Sequence, residues 1–153
     1  MKKSKIFAIV IDSVLILATL CFIWGNSLLS KTQSSAGSSR VFVKLKPIFD
    51  AVFGEGVITH NIFRKITHFC EFGLLGIEVF ALHALLHKIK PVNLIFVLIY
   101  GLAVASIDEI IQIFSSRGPS VVDVLIDLSG YTFAILVLAL FMFIIRKIKT
   151  RKS

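Results

Sequence analysis

Four acidic side chains interrupt a stretch that is otherwise apolar enough for a membrane interior. Residues 106–130 read SIDEIIQIFSSRGPSVVDVLIDLSG and carry Asp108, Glu109, Asp123 and Asp127. On insertion scales an ionisable side chain at membrane depth costs roughly 2.5 to 3.5 kcal/mol, so each needs a partner, a pocket or a chemical role. Upstream, RKITHFCEFGLLGIE spaces Arg64, His68, Glu71, Leu75 and Glu78 by four, three, four and three residues, which places them on one helix face. An imidazole with a carboxylate one turn away is a pairing that general acid–base chemistry uses. His68, Glu71, Asp108, Glu109 and Asp127 are therefore the candidate catalytic groups.

Around them stand groups suited to holding a ligand: Asn26, Ser27, Arg64, Gln112, Arg117 and Asp123. Arg64 and Arg117 can grip a phosphate or carboxylate in bidentate fashion, or can pair with the acids and hold a bundle together. Oxygen-rich ligation suits Mg, Mn or Ca better than zinc. No metal motif has the right spacing, however, so a divalent cation is a subsidiary reading and the cofactor stays unassigned. Asp123 has another explanation: with Ser120 as N-cap it sits at N3, aligned with the helix dipole. Asp127 lies one turn deeper and lacks that explanation. No nucleophile elbow or thiol dyad occurs, and helix-end polarity accounts for the hydroxyl of Ser27.

The elements that must position these groups are membrane-spanning. A chain of 153 residues with 56% hydrophobic content and a mean hydropathy of +0.90 falls in the integral membrane class. Crossing about 30 Å of hydrocarbon takes about 20 helical residues. Windows near 6–25, 66–86, 92–113 and 121–145 meet that length, giving an all-α bundle of four transmembrane helices in a single domain spanning 1–153, with an outer loop over 26–65. The net charge of +8 would suggest nucleic acid in a soluble protein. Here the bases flank the apolar segments, so topology explains them and no nucleic-acid partner is expected. Lys2, Lys3 and Lys5, then Lys88 and Lys90, then residues 146–152 fall on one side, which puts both termini in the cytoplasm. The loop 26–65 carries six further Lys and Arg on the other side, where charge bias weakens with loop length.

The basic-then-apolar start resembles a signal peptide, but its core is too long and no A-x-A site follows, so an uncleaved first helix is expected. That helix carries Asp12, Thr19, Ile23, Asn26 and Ser30 as one inward stripe, with Trp24 as an interfacial anchor. SLLSKTQSSAGSSRV reads as a flexible loop. Residues 41–53 read either as ordinary loop or as an amphipathic helix on the outer surface, despite Pro47. Cys21 and Cys70 lie at similar depth, where a disulfide is geometrically possible, and are expected to be two small lipid- or core-facing thiols. Gly73 and Gly76 suit close helix approach, as do Gly101 and Ala105 below the acids of the third helix. His83 and His87 read as packing at the inner end.

Alternating topology brings the end of the first helix, the start of the second, the end of the third and the start of the fourth to one outer side. Those are the polar places, so a shared outward-facing site is expected. Glu78 and Asp12 lie deeper and make a thin path for protons or ions.

At this point the residues resemble the VanZ-like family over nearly the whole chain. The resemblance rests on NSLLS, KITHFCEFGLLG and the run 106–130. Within these, Asn26 and Ser27 match the family's polar end of helix one, and His68 with Glu71 match its H-x-x-E element. Asp108, Glu109 and Gln112 match D-E-x-x-Q; Arg117 with Gly118, then Asp123 and Asp127, complete the pattern. The paired Ser ahead of Arg117 depart from it in the loop. The family implies a multi-pass protein of the Gram-positive cell membrane and lowered susceptibility to teicoplanin-type lipoglycopeptides. Three activities fit the residues besides ion movement. The site binds or modifies a surface lipid or lipid-linked wall precursor in the bilayer; or it is an intramembrane acid–base or cation-assisted hydrolase or transferase; or the chain is a structural, partner-binding bundle.

Overall fold

A computed structural model describes residues 3–87, 91–115, 117, 118 and 120–151. Five helices follow one another: α1 (Lys3–Leu28), α2 (Lys31–Phe53), α3 (His60–Leu86), α4 (Pro91–Phe114) and α5 (Val121–Arg151). All but α2 are long and apolar enough to cross a membrane. Their large side chains, Phe7, Phe96, Phe114, Phe133 and Phe141 among them, are exposed on the outside of the bundle. Asp108 and Asp127, by contrast, are 0% exposed. Water would invert that distribution, whereas a lipid solvent asks for it, since hydrocarbon tails solvate apolar side chains and cannot solvate a carboxylate.

The segment 27–41, expected as a flexible loop, instead enters helix α2, and residues 41–53 take the helical of their two readings; the correction has a local cause. Ser30 and Gln33 form a reciprocal capping box: the Gln33 N–H donates to Ser30 Oγ at 3.3 Å and the Ser30 N–H to Gln33 Oε1 at 3.1 Å. Such a box satisfies orphan donors and lowers the cost of the first turn. Tertiary packing does the rest. Phe42 is buried with its ring centroid 5.5 Å from Phe63 and 5.7 Å from His60, and Phe49 stands 5.9 Å from Phe63. Ser38 Oγ meets His60 Nε2 at 2.9 Å. Pro47 is accommodated inside the helix, where it forgoes one backbone hydrogen bond, and Lys46 pairs with Asp50 across the following turn. That pairing holds the Lys46 ammonium above its ordinary value and, with the Gly56 N–H, the Asp50 carboxyl below its own. Gly54, at φ 97°, closes α2.

Within the bundle α3 and α5 form the most extensive pair, α1 packs on α3 and α4, and α4 packs on α5. Ile23, Phe72, Leu75, Val104, Tyr131 and Ile135 fill the shared interior. The α3–α5 approach is set at two glycines. A Cβ on Gly76 would meet the Tyr131 backbone, and one on Gly130 would meet the Phe69 carbonyl oxygen, so backbone lies directly on backbone. The expectation of close approach at Gly76 is met; Gly73 is only in ordinary contact with α5. Tyr131 ties α5 to α4, its hydroxyl donating to the Val97 carbonyl at 2.9 Å in the bundle interior. Tyr131→Phe is expected to cost about 1 kcal/mol, the usual net value of such a bond, read as a fall in melting temperature of the detergent-solubilised protein.

The remaining features divide. Ile16, Thr19, Leu20, Ile23 and Ser27 form the buried stripe of α1, sharing Thr19 and Ile23 with the expected one, while Ser30 lies beyond α1 as the N-cap of α2. Trp24 packs against the core with its Nε1 buried and unpartnered, so it is not a free interfacial anchor. Cys21 and Cys70 are free and exposed on the bundle surface. Lys2, Lys88, Lys90 and Lys152, which entered the orientation expectation, lie outside the described residues, as do Ser116 and Pro119 of the α4–α5 turn.

Candidate functional site

Three contacts bring the polar helix ends together. The Ser27 hydroxyl, in the last turn of α1, donates to Asp108 Oδ1 on α4 at 2.6 Å. The Ser120 N–H, at the head of α5, donates to Glu109 Oε2 at 2.7 Å. His68 Nδ1 on α3 lies 3.3 Å from Asp127 Oδ1 on α5. The convergence expected from alternating topology is thus present in the fold.

On α4 the D-E-x-x-Q element is a tied knot. Gln112 follows Asp108 by four residues and Glu109 by three, so helical spacing alone makes them neighbours. Its amide nitrogen donates to Asp108 Oδ2 at 2.9 Å and Glu109 Oε1 at 3.1 Å. Both acids are therefore held in fixed orientations, and Glu109, spent on Gln112 and Ser120, serves the α4–α5 turn. Ser115 adds a hydroxyl between the carbonyls of Ser27, at 2.8 Å, and Gln112, at 3.1 Å. At the start of α5 the Asp123 N–H donates to Ser120 Oγ at 3.2 Å. The capping role of Ser120 is as expected, and Asp123 stands in the first turn of α5.

Asp127 is different in kind. It is 0% exposed and neither carboxylate oxygen has a hydrogen-bond partner; His68 Nδ1, though 3.3 Å away, lacks the alignment of a hydrogen bond. An uncompensated buried carboxylate costs folding free energy. His68, Asp108 and Asp127 together offer three ligand atoms within 4.8 Å of one another, and they are the residues that can hold a cation. Sequence spacing suggested Glu71 as the partner of His68. In the fold the nearest carboxylate is Asp127, carried in from α5 by the contact at Gly130, while Glu71 lines a cavity beside His68.

That cavity, about 240 Å³, opens between α1, α2 and α3. Phe22, Val41 and Phe63 give it apolar walls; Arg64, Glu71 and Arg117 give it charge. Asn26 and Ser27 also border it. A second cavity of about 240 Å³ lies beyond, with Lys65, Gln112 and Asp123 on its wall, and Arg64 and His68 border both. The Arg117 N–H donates to the Gln112 carbonyl at 3.1 Å and its side chain to the Asn26 carbonyl at 3.3 Å, while Nε is buried and unpartnered. Burial, and then the Arg64 guanidinium nearby, push the Arg117 guanidinium below its ordinary value. Among the described residues Lys46–Asp50 is an ion pair, and His68–Asp127 is one only with His68 protonated. Neither arginine is spent on an acid, so of the two readings of Arg64 and Arg117 the fold does not show the one in which they pair with the acids to hold the bundle.

Sequence reasoning missed the wall contributed by α2, where Gln33, Ser34 and Ser38 face the same cavity. The S-x-x-Q box at Ser30 was the available signal. Deeper in the bundle Thr19 donates to Glu78 Oε1 at 3.0 Å, and Glu78 Oε2 and Asp12 Oδ2 are unpartnered. His83 and His87 lie with tilted rings 5.2 Å apart at the far end of α3, consistent with packing.

Apolar spans enclosing a polar, acid-rich knot at one end define a polytopic helical membrane protein. A family model described as VanZ/LLP1 matches residues 10–143, and the chain belongs to that family. No curated protein and no solved structure matches it.

Proposed function

We propose that this protein is a single-domain component of the bacterial cell membrane, termini in the cytoplasm and polar end outward, that binds the anionic headgroup of an envelope lipid or lipid-linked wall precursor. The observation that carries this is the pair Arg64 and Arg117, unpaired with any carboxylate and bordering one cavity with apolar walls. Guanidinium matches phosphate in bidentate geometry, and Phe22, Val41 and Phe63 supply a surface for the first carbons of an acyl chain. Occupation of a wall precursor in this way would lower susceptibility to teicoplanin-type antibiotics in a Gram-positive envelope.

The test is lipid retention. Purified protein is expected to carry phosphate-bearing lipid through detergent exchange, detected by mass spectrometry, and to exchange it for anionic but not zwitterionic phospholipid in mixed micelles. Retention of no phosphate lipid would sink the reading. The antibiotic arm is separate: a sensitive Gram-positive host expressing the chain is expected to show a raised inhibitory concentration for teicoplanin. That protection should disappear in His68→Ala and Asp127→Asn at matched membrane abundance, and an unchanged inhibitory concentration with the wild type removes the resistance assignment alone.

A further inference from the structure

The geometry points to a divalent transition-metal site formed by His68, Asp108 and Asp127, with Mn²⁺ or Zn²⁺ as its ion. This goes beyond the lipid reading and stands without it. A ring nitrogen of His68 and one oxygen from each carboxylate already lie within 4.8 Å of one another, with Nδ1 3.3 Å from Asp127 Oδ1. Ligand atoms placed about 2.0 to 2.2 Å from a shared ion stand roughly 3 to 3.5 Å apart, so small side-chain rotations close the set.

An acidic pair alone would not carry the assignment. The independent observation is Asp127: fully buried, both oxygens without a hydrogen-bond partner, beside an imidazole nitrogen that is also unpartnered. With the His68 proton on Nε2, Nδ1 and the two Asp127 oxygens are acceptors without a donor, and a cation between them satisfies them at once. Asp108 is prepared in a different way. Ser27 at 2.6 Å and Gln112 at 2.9 Å each occupy one lone pair of its carboxylate and fix its plane, leaving a lone pair on each oxygen. Outer partners of this kind orient metal ligands in known sites. Two buried carboxylates also present the charge that a divalent ion neutralises.

The donor set decides among metals. Carboxylates alone would suit Mg²⁺ or Ca²⁺, but an imidazole nitrogen shifts the preference toward first-row transition ions. Three protein ligands leave positions open, as in metal sites that also take water or a substrate oxygen. Because His68 borders both cavities, such an oxygen has a route to the ion.

The experiment uses the full chain in detergent, stripped with chelator and titrated with Mn²⁺ and, separately, Zn²⁺. Saturable binding of a single ion per chain is expected, and the Mn²⁺ form should show imidazole nitrogen hyperfine coupling in pulsed paramagnetic resonance. His68→Ala should abolish that coupling, and Asp127→Asn should weaken binding at least about tenfold, as even outer-partner losses do. Glu55→Gln, on the exposed α2–α3 connection, should bind as wild type. Absence of saturable binding of either ion to the wild type overturns the site, as does Mn²⁺ binding without nitrogen coupling. Equal affinity in folded Asp127→Asn overturns it too. None of these readouts involves lipid, so failure here is distinct from failure of the headgroup reading.

Discussion

Arg64→Gln combined with Arg117→Gln is expected to weaken binding of an anionic phospholipid by about a hundredfold or more. A hydrogen bond to a charged group contributes roughly 1.5 to 3 kcal/mol, so two lost guanidinium contacts remove roughly 3 to 6 kcal/mol at 1.4 kcal/mol per decade. The two losses are not expected to add. In the free protein the Arg64 guanidinium opposes the charge on Arg117, so either single substitution also relieves a repulsion that the bound anion would otherwise relieve. Arg117→Lys retains charge but not the planar fork and should fall between. Binding measured in mixed micelles at several salt concentrations checks all of this, since the double variant should also lose the salt dependence that charge pairing brings. Unchanged affinity in the double variant would show that the cavity does not bind through these groups.

How the site could be read beforehand follows from which interactions are local. Helical spacing put Arg64, His68, Glu71 and Glu78 on one face and joined Asp108, Glu109 and Gln112, because neighbours three and four apart are fixed by helix geometry alone. Hydropathy placed the spans, and alternation then forced their polar ends together. Boundaries slipped where caps decided them: α3 starts at His60, not near 66, since the Ile62 N–H finds Thr59 Oγ1 at 3.3 Å. The serine-rich segment concealed α2 because composition outweighed a capping box, and its packing on Phe63 is a contact between distant residues. The partner of His68 was hidden for a similar reason. Glu71 is close in sequence, but rotation and distance between α3 and α5 decide what reaches the imidazole, and those depend on contacts that no spacing within one helix reports.

The contact that decides them is the glycine at position 130, which gives the second large prediction. Gly130→Ala is expected to destabilise the protein and Gly25→Ala to stabilise it, although both glycines lie inside helices. Alanine is the better helix former by roughly 1 kcal/mol, and at Gly25 nothing lies within 4 Å of the added Cβ, so that gain is realised. At Gly130 the added carbon runs into the Phe69 carbonyl. The obstacle is backbone, which cannot turn aside as a side chain can, so α5 must move off α3 as a unit. Overpacking of this kind costs typically 1 to 3 kcal/mol, enough to reverse the propensity gain. The displacement has a local consequence, because Phe69 follows His68 and Gly130 is less than one turn beyond Asp127 in α5. Gly130→Ala should therefore also impair Mn²⁺ or Zn²⁺ binding at conditions where the protein remains folded, while Gly130→Leu should fail to accumulate in the membrane. Size-exclusion profiles after heating measure the stabilities, and metal titration below the melting point measures the second effect. A Gly130→Ala protein as stable as the wild type would mean that the close α3–α5 approach, and with it the juxtaposition of His68 and Asp127, is not how these helices pack.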